Sequence, residues 1–147
     1  MTDAARTSWV EHTLDTLESA GCRRGGARSA VVWLLAGKDC AVTAREIDDE
    51  LRGSEREVGR ASVYRALEQL AGLGLVSRLD IGQGVARYEP QHPGGEHHHH
   101  LVCDECGSVT PFQDAELERS ISRLSRRVPF RVAEHDVVLH GACDECG

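Results

Sequence analysis

Aromatic residues are scarce in this sequence: two Trp, two Tyr and two Phe among 147 positions. If the chain forms two small domains, each core is modest and needs a staple such as a metal or a partner subunit. No apolar run approaches the ~20 residues of a membrane span, so no membrane is expected as a partner. The opening "MTDAARTSWVEHTL" lacks the basic start and apolar centre of an export signal, and a cytoplasmic location is expected. His-Glu-x-x-His is absent, as are a deaminase-ordered His-x-Glu with downstream Cys-x-x-Cys and a phosphate-cradling glycine loop. These absences argue against an enzyme and a small-molecule substrate, leaving a zinc metalloenzyme as the remote alternative. There is no excess of basic residues either, since the net charge is −7.

That charge is uneven. Residues 1–90 carry 12 Lys/Arg against 14 Asp/Glu, and residues 91–147 carry 5 against 10. The acidic second part suits cations. In the first, Arg52, Arg56, Arg60 and Arg65 fall within 14 positions, a local basic patch in an otherwise acidic chain.

Four helical stretches fill the first part. Ser8 and Glu11 have capping-box spacing, with Val10, Leu14 and Leu17 on one face and Gly21 as the stop. "ARSAVVWLLAG" (27–37) reads as a buried helix ending at Gly37. Thr43 and Glu46 form a second capping box ahead of "AREIDDEL". "RASVYRALEQLAGLG" (60–74) places Val63, Leu67, Leu70 and Leu73 inward and turns Ser62, Tyr64 and Arg65 away. Strands at 75–81 and 85–89, joined by "GQG", form a hairpin. This order predicts a winged helix-turn-helix domain over residues 1–89. "PQHPGGE" (90–96), with two prolines and two glycines, is the predicted hinge. Residues 97–147 read as a small α/β domain: strands at "HHHHLVC" and "SVTPF", a helix over 114–128 capped by Asp114, and a returning strand in "FRVAEHDVVLHGAC". The fold class is thus α+β.

Chemistry concentrates in the second domain. Cys103, Cys106, Cys143 and Cys146 make two Cys-x-x-Cys pairs 36 residues apart. Two such pairs complete a closed tetrahedral thiolate site for a structural Zn²⁺, whose binding becomes folding free energy. Directly ahead stands "HHHH", residues 97–100. It is internal and runs into the first cysteine strand, unlike a purification tag; a solvated polar loop is the bland reading. In an extended strand, His97 and His99 face one way and His98 and His100 the other. One strand can then serve two metal sites, with Glu89, Glu118 and His135 as candidate further ligands. Imidazole with carboxylate suits Zn²⁺, Fe²⁺, Ni²⁺, Co²⁺ or Mn²⁺. His12, His92 and His140 read as surface or core residues, and Cys22 and Cys40 as ordinary small residues.

"GRASVYRALEQLAGLGLV", "YE", "HHHHLVCDECG" and "HDVVLHGACDEC" together resemble the ferric uptake regulator family, from about residue 20 to 146. The resemblance implies a homodimeric, metal-responsive repressor of metal-uptake or stress genes that binds a palindromic operator in double-stranded DNA. It implies structural zinc on Cys103, Cys106, Cys143 and Cys146. It implies a regulatory site of His97, His99, Glu118 and His135 in the dimerisation domain, and a hinge-spanning sensory site of Glu89, His98 and His100. The regulatory ion would be Zn²⁺ or Fe²⁺, with Mn²⁺ and Ni²⁺ as further candidates. Arg60, Ser62, Tyr64 and Arg65 would meet DNA, with Arg28 and Arg56 as further phosphate contacts. Two departures stand out. Many members carry a further hinge histidine where this chain has Ala41, with Cys40 beside it as an alternative donor. Peroxide-sensing members rely on that histidine and on an aspartate where this chain has Pro111, which weakens the alternative of a peroxide- or redox-responsive regulator of the same fold.

Overall fold

A computed structural model of the chain describes residues 2–23, 25–54, 58–82, 84–92 and 97–147. Arg56 and hinge residues 93–96 lie outside these. The chain divides into two compact units, Met1–Gly95 and Glu96–Gly147. No described helix is long and apolar enough to cross a membrane.

The first unit is a winged helix-turn-helix. Helices α1 (Asp3–Ser19) and α2 (Gly26–Ala36) precede a two-residue strand, β1 (Val42–Thr43). Helices α3 (Ala44–Arg52) and α4 (Arg60–Gly72) follow, then strands β2 (Val76–Asp80) and β3 (Ala86–Pro90). The expected capping box at Ser8 is not used. The helix is capped six residues earlier, where the Thr2 side chain accepts from Ala5 N–H. The box at Thr43 forms as read: Thr43 Oγ1 accepts from Glu46 N–H, and the Glu46 carboxylate accepts from Thr43 N–H. The β2–β3 hairpin is antiparallel, and β1 adds to its β3 side. Trp9, Val31, Val32, Leu35, Ile47, Val63, Leu67 and Leu70 form the core. Full burial of each aliphatic side chain there contributes roughly 1.5–3 kcal/mol. Trp9 also donates its indole N–H to Leu75 O at 3.0 Å, fastening α1 to the start of the wing.

Pro90 closes β3, and Gln91 N–H still bonds Leu75 O, so both stay with the first unit. In the second unit, β4 (His99–Cys103) is central, antiparallel to β5 (Val109–Phe112) and parallel to β6 (Val138–Gly141). Helix α5 (Ala115–Arg127) begins where the Asp114 carboxylate accepts from Leu117 N–H. The returning strand is shorter than expected: residues 131–137 have no regular structure, so His135 lies in an irregular segment. None of the residues of α5 is buried, although its apolar stripe has helical spacing.

Candidate functional site

Three of the four cysteine sulfurs are set by turns. Cys103 ends β4, and a tight turn carries Cys106 back beneath it; a second turn after β6 carries Cys143 and Cys146. All four Sγ atoms lie within 4.8 Å of one another. Cys106 Sγ and Cys143 Sγ are 3.9 Å apart. A tetrahedron with Zn–S bonds of ~2.3 Å has edges of about 3.8 Å, so the spacing fits that ion. The backbone N–H groups of Cys106 and Cys143 both point at Cys103 Sγ, at 3.5 and 3.4 Å. They hold its thiol down to a pKa of about 6. Ser108, hydrogen-bonded to Cys106 Sγ, lowers that thiol too. Cys146 moves the other way, to about 12, because it keeps its proton to bond Cys143 and the other sulfurs. Four crowded sulfurs do not all ionise without a cation among them. The donor set is therefore soft and closed, and it carries four negative charges when loaded.

The histidine run does what period-two geometry requires. His97 and His98 precede the strand and His99 and His100 open it, yet the side chains still sort by parity. The ring of His97 lies 4.5 Å from that of His99, and the ring of His98 lies 5.0 Å from that of His100, centroid to centroid. His99 and His100 are both buried.

On the odd-numbered side, α5 delivers Glu118 and the irregular segment delivers His135. Glu118 Oε1 is 2.5 Å from His99 Nε2, and Oε2 is 2.9 Å from His135 Nε2. His97 Nε2 stands 3.9 Å from Oε1. One ligand atom from each of the four lies within 4.8 Å of the rest. The His99 hydrogen bond, then His135 and His97, hold the Glu118 carboxyl below its ordinary value against a partial desolvation. Three imidazoles and a carboxylate so arranged suit a divalent ion of the zinc or iron(II) kind. Behind the site, Val137 N–H donates to His99 Nδ1 at 3.1 Å. On the even-numbered side, His98 and His100 pair within the second unit, while Glu89 lies largely buried on β3 of the first.

Arg60, Ser62, Tyr64 and Arg65 all fall in the first two turns of α4. Tyr64 and Arg65 are exposed, Ser62 is half-buried, and Arg65 donates to Ser62 Oγ at 3.3 Å. Val63, Ala66, Leu67 and Leu70 are buried on the opposite side. A short helix with one apolar edge packed and one polar, cationic edge exposed can enter a DNA major groove. Sequence reasoning missed one residue here. Asp48 is fully buried and contacts Arg60. It shares the inward stripe of α3 with Ala44, Ile47 and Leu51, and a carboxylate on an apolar stripe was the available signal.

Known proteins resemble this chain in sequence and fold. The model of the ferric uptake regulator family matches residues 19–140. The chain is 35% identical over 139 residues to the ferric uptake regulation protein of Bacillus subtilis, covering 93% of each. It is 36% identical over 132 residues to the zinc uptake regulation protein of Mycobacterium tuberculosis, covering 88% of this chain and 98% of that one. It superposes on the Helicobacter pylori ferric uptake regulator with a TM-score of 0.82 at 26% identity, over 96% of this chain and 93% of that one. The Helicobacter protein has three functional metal-binding sites.

Proposed function

The chain belongs to the ferric uptake regulator family, and from that premise we propose that it is a homodimeric, metal-responsive repressor of metal uptake or homeostasis genes. The observation that carries this reading is the sorting of four consecutive histidines onto two sides of one strand, beside a separate closed set of four thiols. Cys103, Cys106, Cys143 and Cys146 hold structural Zn²⁺ and tie the C-terminal turn to β4. His97, His99, Glu118 and His135 hold a regulatory divalent ion, Zn²⁺ or Fe²⁺, with Mn²⁺ and Ni²⁺ accepted by the same donors. Glu89, His98 and His100 form the sensory site across the hinge. A bound divalent ion supplies several ligand bonds at once and so acts as a reversible cross-link.

The rest is done by the protein. With Glu89 tied to His98 and His100, the winged domain is held rather than free about residues 90–96. Two reading helices held at the spacing of a palindromic operator lose less conformational freedom on binding double-stranded DNA. Arg60, Ser62, Tyr64 and Arg65 make the contacts. The apolar surface of the second unit supports the homodimer. Leu101 and Leu139 are register partners on adjacent strands and both exposed, as are Leu124, Val128 and Phe130. A monomer rarely leaves such a surface open.

The test is elemental analysis of untagged protein, then gel-shift binding to the DNA upstream of its own gene with each of Zn²⁺, Fe²⁺, Mn²⁺ and Ni²⁺. Binding that strengthens with one of these ions, and no longer does so in His98→Ala, is expected. DNA binding indifferent to all four ions would overturn the reading.

A further inference from the structure

Asp48 is a charged side chain with no solvent exposure. Its Oδ2 accepts from Arg60 Nε at 3.1 Å and lies 3.3 Å from Arg52 Nη2. Its Oδ1 is also buried and has no partner among the described residues. Burying a carboxylate is unfavourable unless its charge is matched. Here the matching is in excess: two cations meet one anion, and the triad keeps a net charge of +1.

That surplus faces outward. The arginine side chains are 58% and 61% exposed. Each uses one nitrogen inward and has several N–H donors left on a rigid planar fork. Arg52 is the last residue of α3 and Arg60 the first of α4. They are eight positions apart in sequence, yet both reach one oxygen atom. Two guanidinium groups are thereby fixed side by side where the reading helix begins.

We propose that Arg52 and Arg60 form a two-arginine clamp for DNA backbone phosphates, with buried Asp48 as the positioning residue that fixes both forks. This rests on the DNA-binding reading above. It adds Arg52 to the contact set and gives Asp48 a role in affinity. The electrostatic alternative has the opposite sign. If Asp48 only lowers the local positive potential, removing its charge tightens DNA binding. If it positions the arginines, removing its charge weakens binding even though the protein becomes more positive.

The experiment uses the full-length, metal-loaded protein and a fluorescent random-sequence duplex of about 30 bp, with anisotropy read between about 50 and 200 mM salt. Arg52→Gln and Arg60→Gln are each expected to weaken binding and to flatten the salt slope by ~1 per lost contact, hence ~2 for a dimer. Arg60→Lys should keep the slope and lose affinity, because a lysine keeps the charge without the fork. Asp48→Asn should bind about 3- to 10-fold more weakly with the wild-type slope, the effect of freeing side chains that must be ordered again on binding. Tighter binding by Asp48→Asn, or an unchanged slope in Arg52→Gln, overturns the clamp while leaving the DNA reading intact. Failure of the wild type to bind any duplex overturns both. If Asp48→Asn does not fold, the two glutamine variants decide, since both alter exposed side chains.

Discussion

At the scale of single residues, the thiol cluster and the His97/His99/Glu118/His135 cluster differ in where their protons sit. With Val137 N–H donating to His99 Nδ1, the neutral ring carries its proton on Nε2, facing Glu118. A ring that ligates through Nε2 must carry its proton on Nδ1, where it meets the Val137 amide donor head-on. His99 and Val137 therefore cannot keep their bond when the site is loaded. The Val137 amide resonance should move on titration with Zn²⁺ and stay still in Glu118→Gln protein; a stationary resonance in the wild type would show that His99 does not ligate through Nε2. The thiols give a pH prediction. Cys103, at about 6, is already a thiolate at neutral pH, whereas Cys146, at about 12, gives up its proton only to a cation. Zinc binding therefore releases protons, and affinity falls with falling pH. The fall should steepen by about one proton as pH drops through about 6, where Cys103 begins to compete, measured by chelator competition from about pH 5 to 8. How far such sites were legible depended on their reach in sequence. The histidine sorting follows from strand periodicity alone. The thiol cluster follows from spacing. The joining of Glu118 and His135 to His99, across 19 and 36 positions, had only the family resemblance behind it. Asp48 showed only as a carboxylate on the apolar stripe of α3, and its pairing with Arg60 at the start of α4 left no signal of its own.

At the scale of elements, helices with strong local signals were readable and boundaries set by tertiary contact were not. Thr43 and Glu46 fixed the start of α3 by their own chemistry. Ser8 and Glu11 have the same spacing, but Thr2 already caps the helix, and the buried Trp9, Val10, Thr13 and Leu17 all lie beyond Ser8. Strand β1, two residues long, is too short for any pattern and exists because β3 offers it a free side. Helix α5 carries the clearest amphipathic stripe in the second unit, and none of its residues is fully buried among the described residues. The proposed homodimer supplies a partner for that stripe. Leu124 is 51% exposed, so Leu124→Glu should leave the monomer folded. In a two-fold interface the change counts twice, and with about half of each Leu124 already covered in the monomer it removes roughly 1.5–3 kcal/mol of apolar burial. That is about a 10- to 10²-fold rise in the dimer dissociation constant. Analytical ultracentrifugation at micromolar concentration should show monomers; an unaltered dimer would place the interface off α5.

At the scale of the whole molecule, the question is how an ion held in one unit changes the affinity of the other for DNA. The carrier is the ligand set itself. Glu89 lies on β3 of the first unit, and in the second His98 stands just ahead of β4 and His100 within it; in the proposed mechanism, coordination shared by these three would tie the units without any relay through packed side chains. In the proposed sensory site, three protein residues supply the cross-link. A site with fewer protein ligands holds its ion less tightly, and its occupancy can follow the concentration of the ion in the cell. Because coupling between two binding sites is one free energy, it must be reciprocal. If metal strengthens operator binding by a factor in the usual range of about 5 to 150, operator DNA must strengthen metal binding at the sensory site by the same factor. Metal titrations of the dimer alone and of the dimer saturated with operator, read by a chromophoric chelator, measure it. Glu89→Gln should bring both factors towards one together, since it removes the only carboxylate of that site and leaves the Cys-bound zinc and the His97/His99/Glu118/His135 cluster in place. A variant that lost one factor and kept the other would break the linkage and with it the cross-link mechanism.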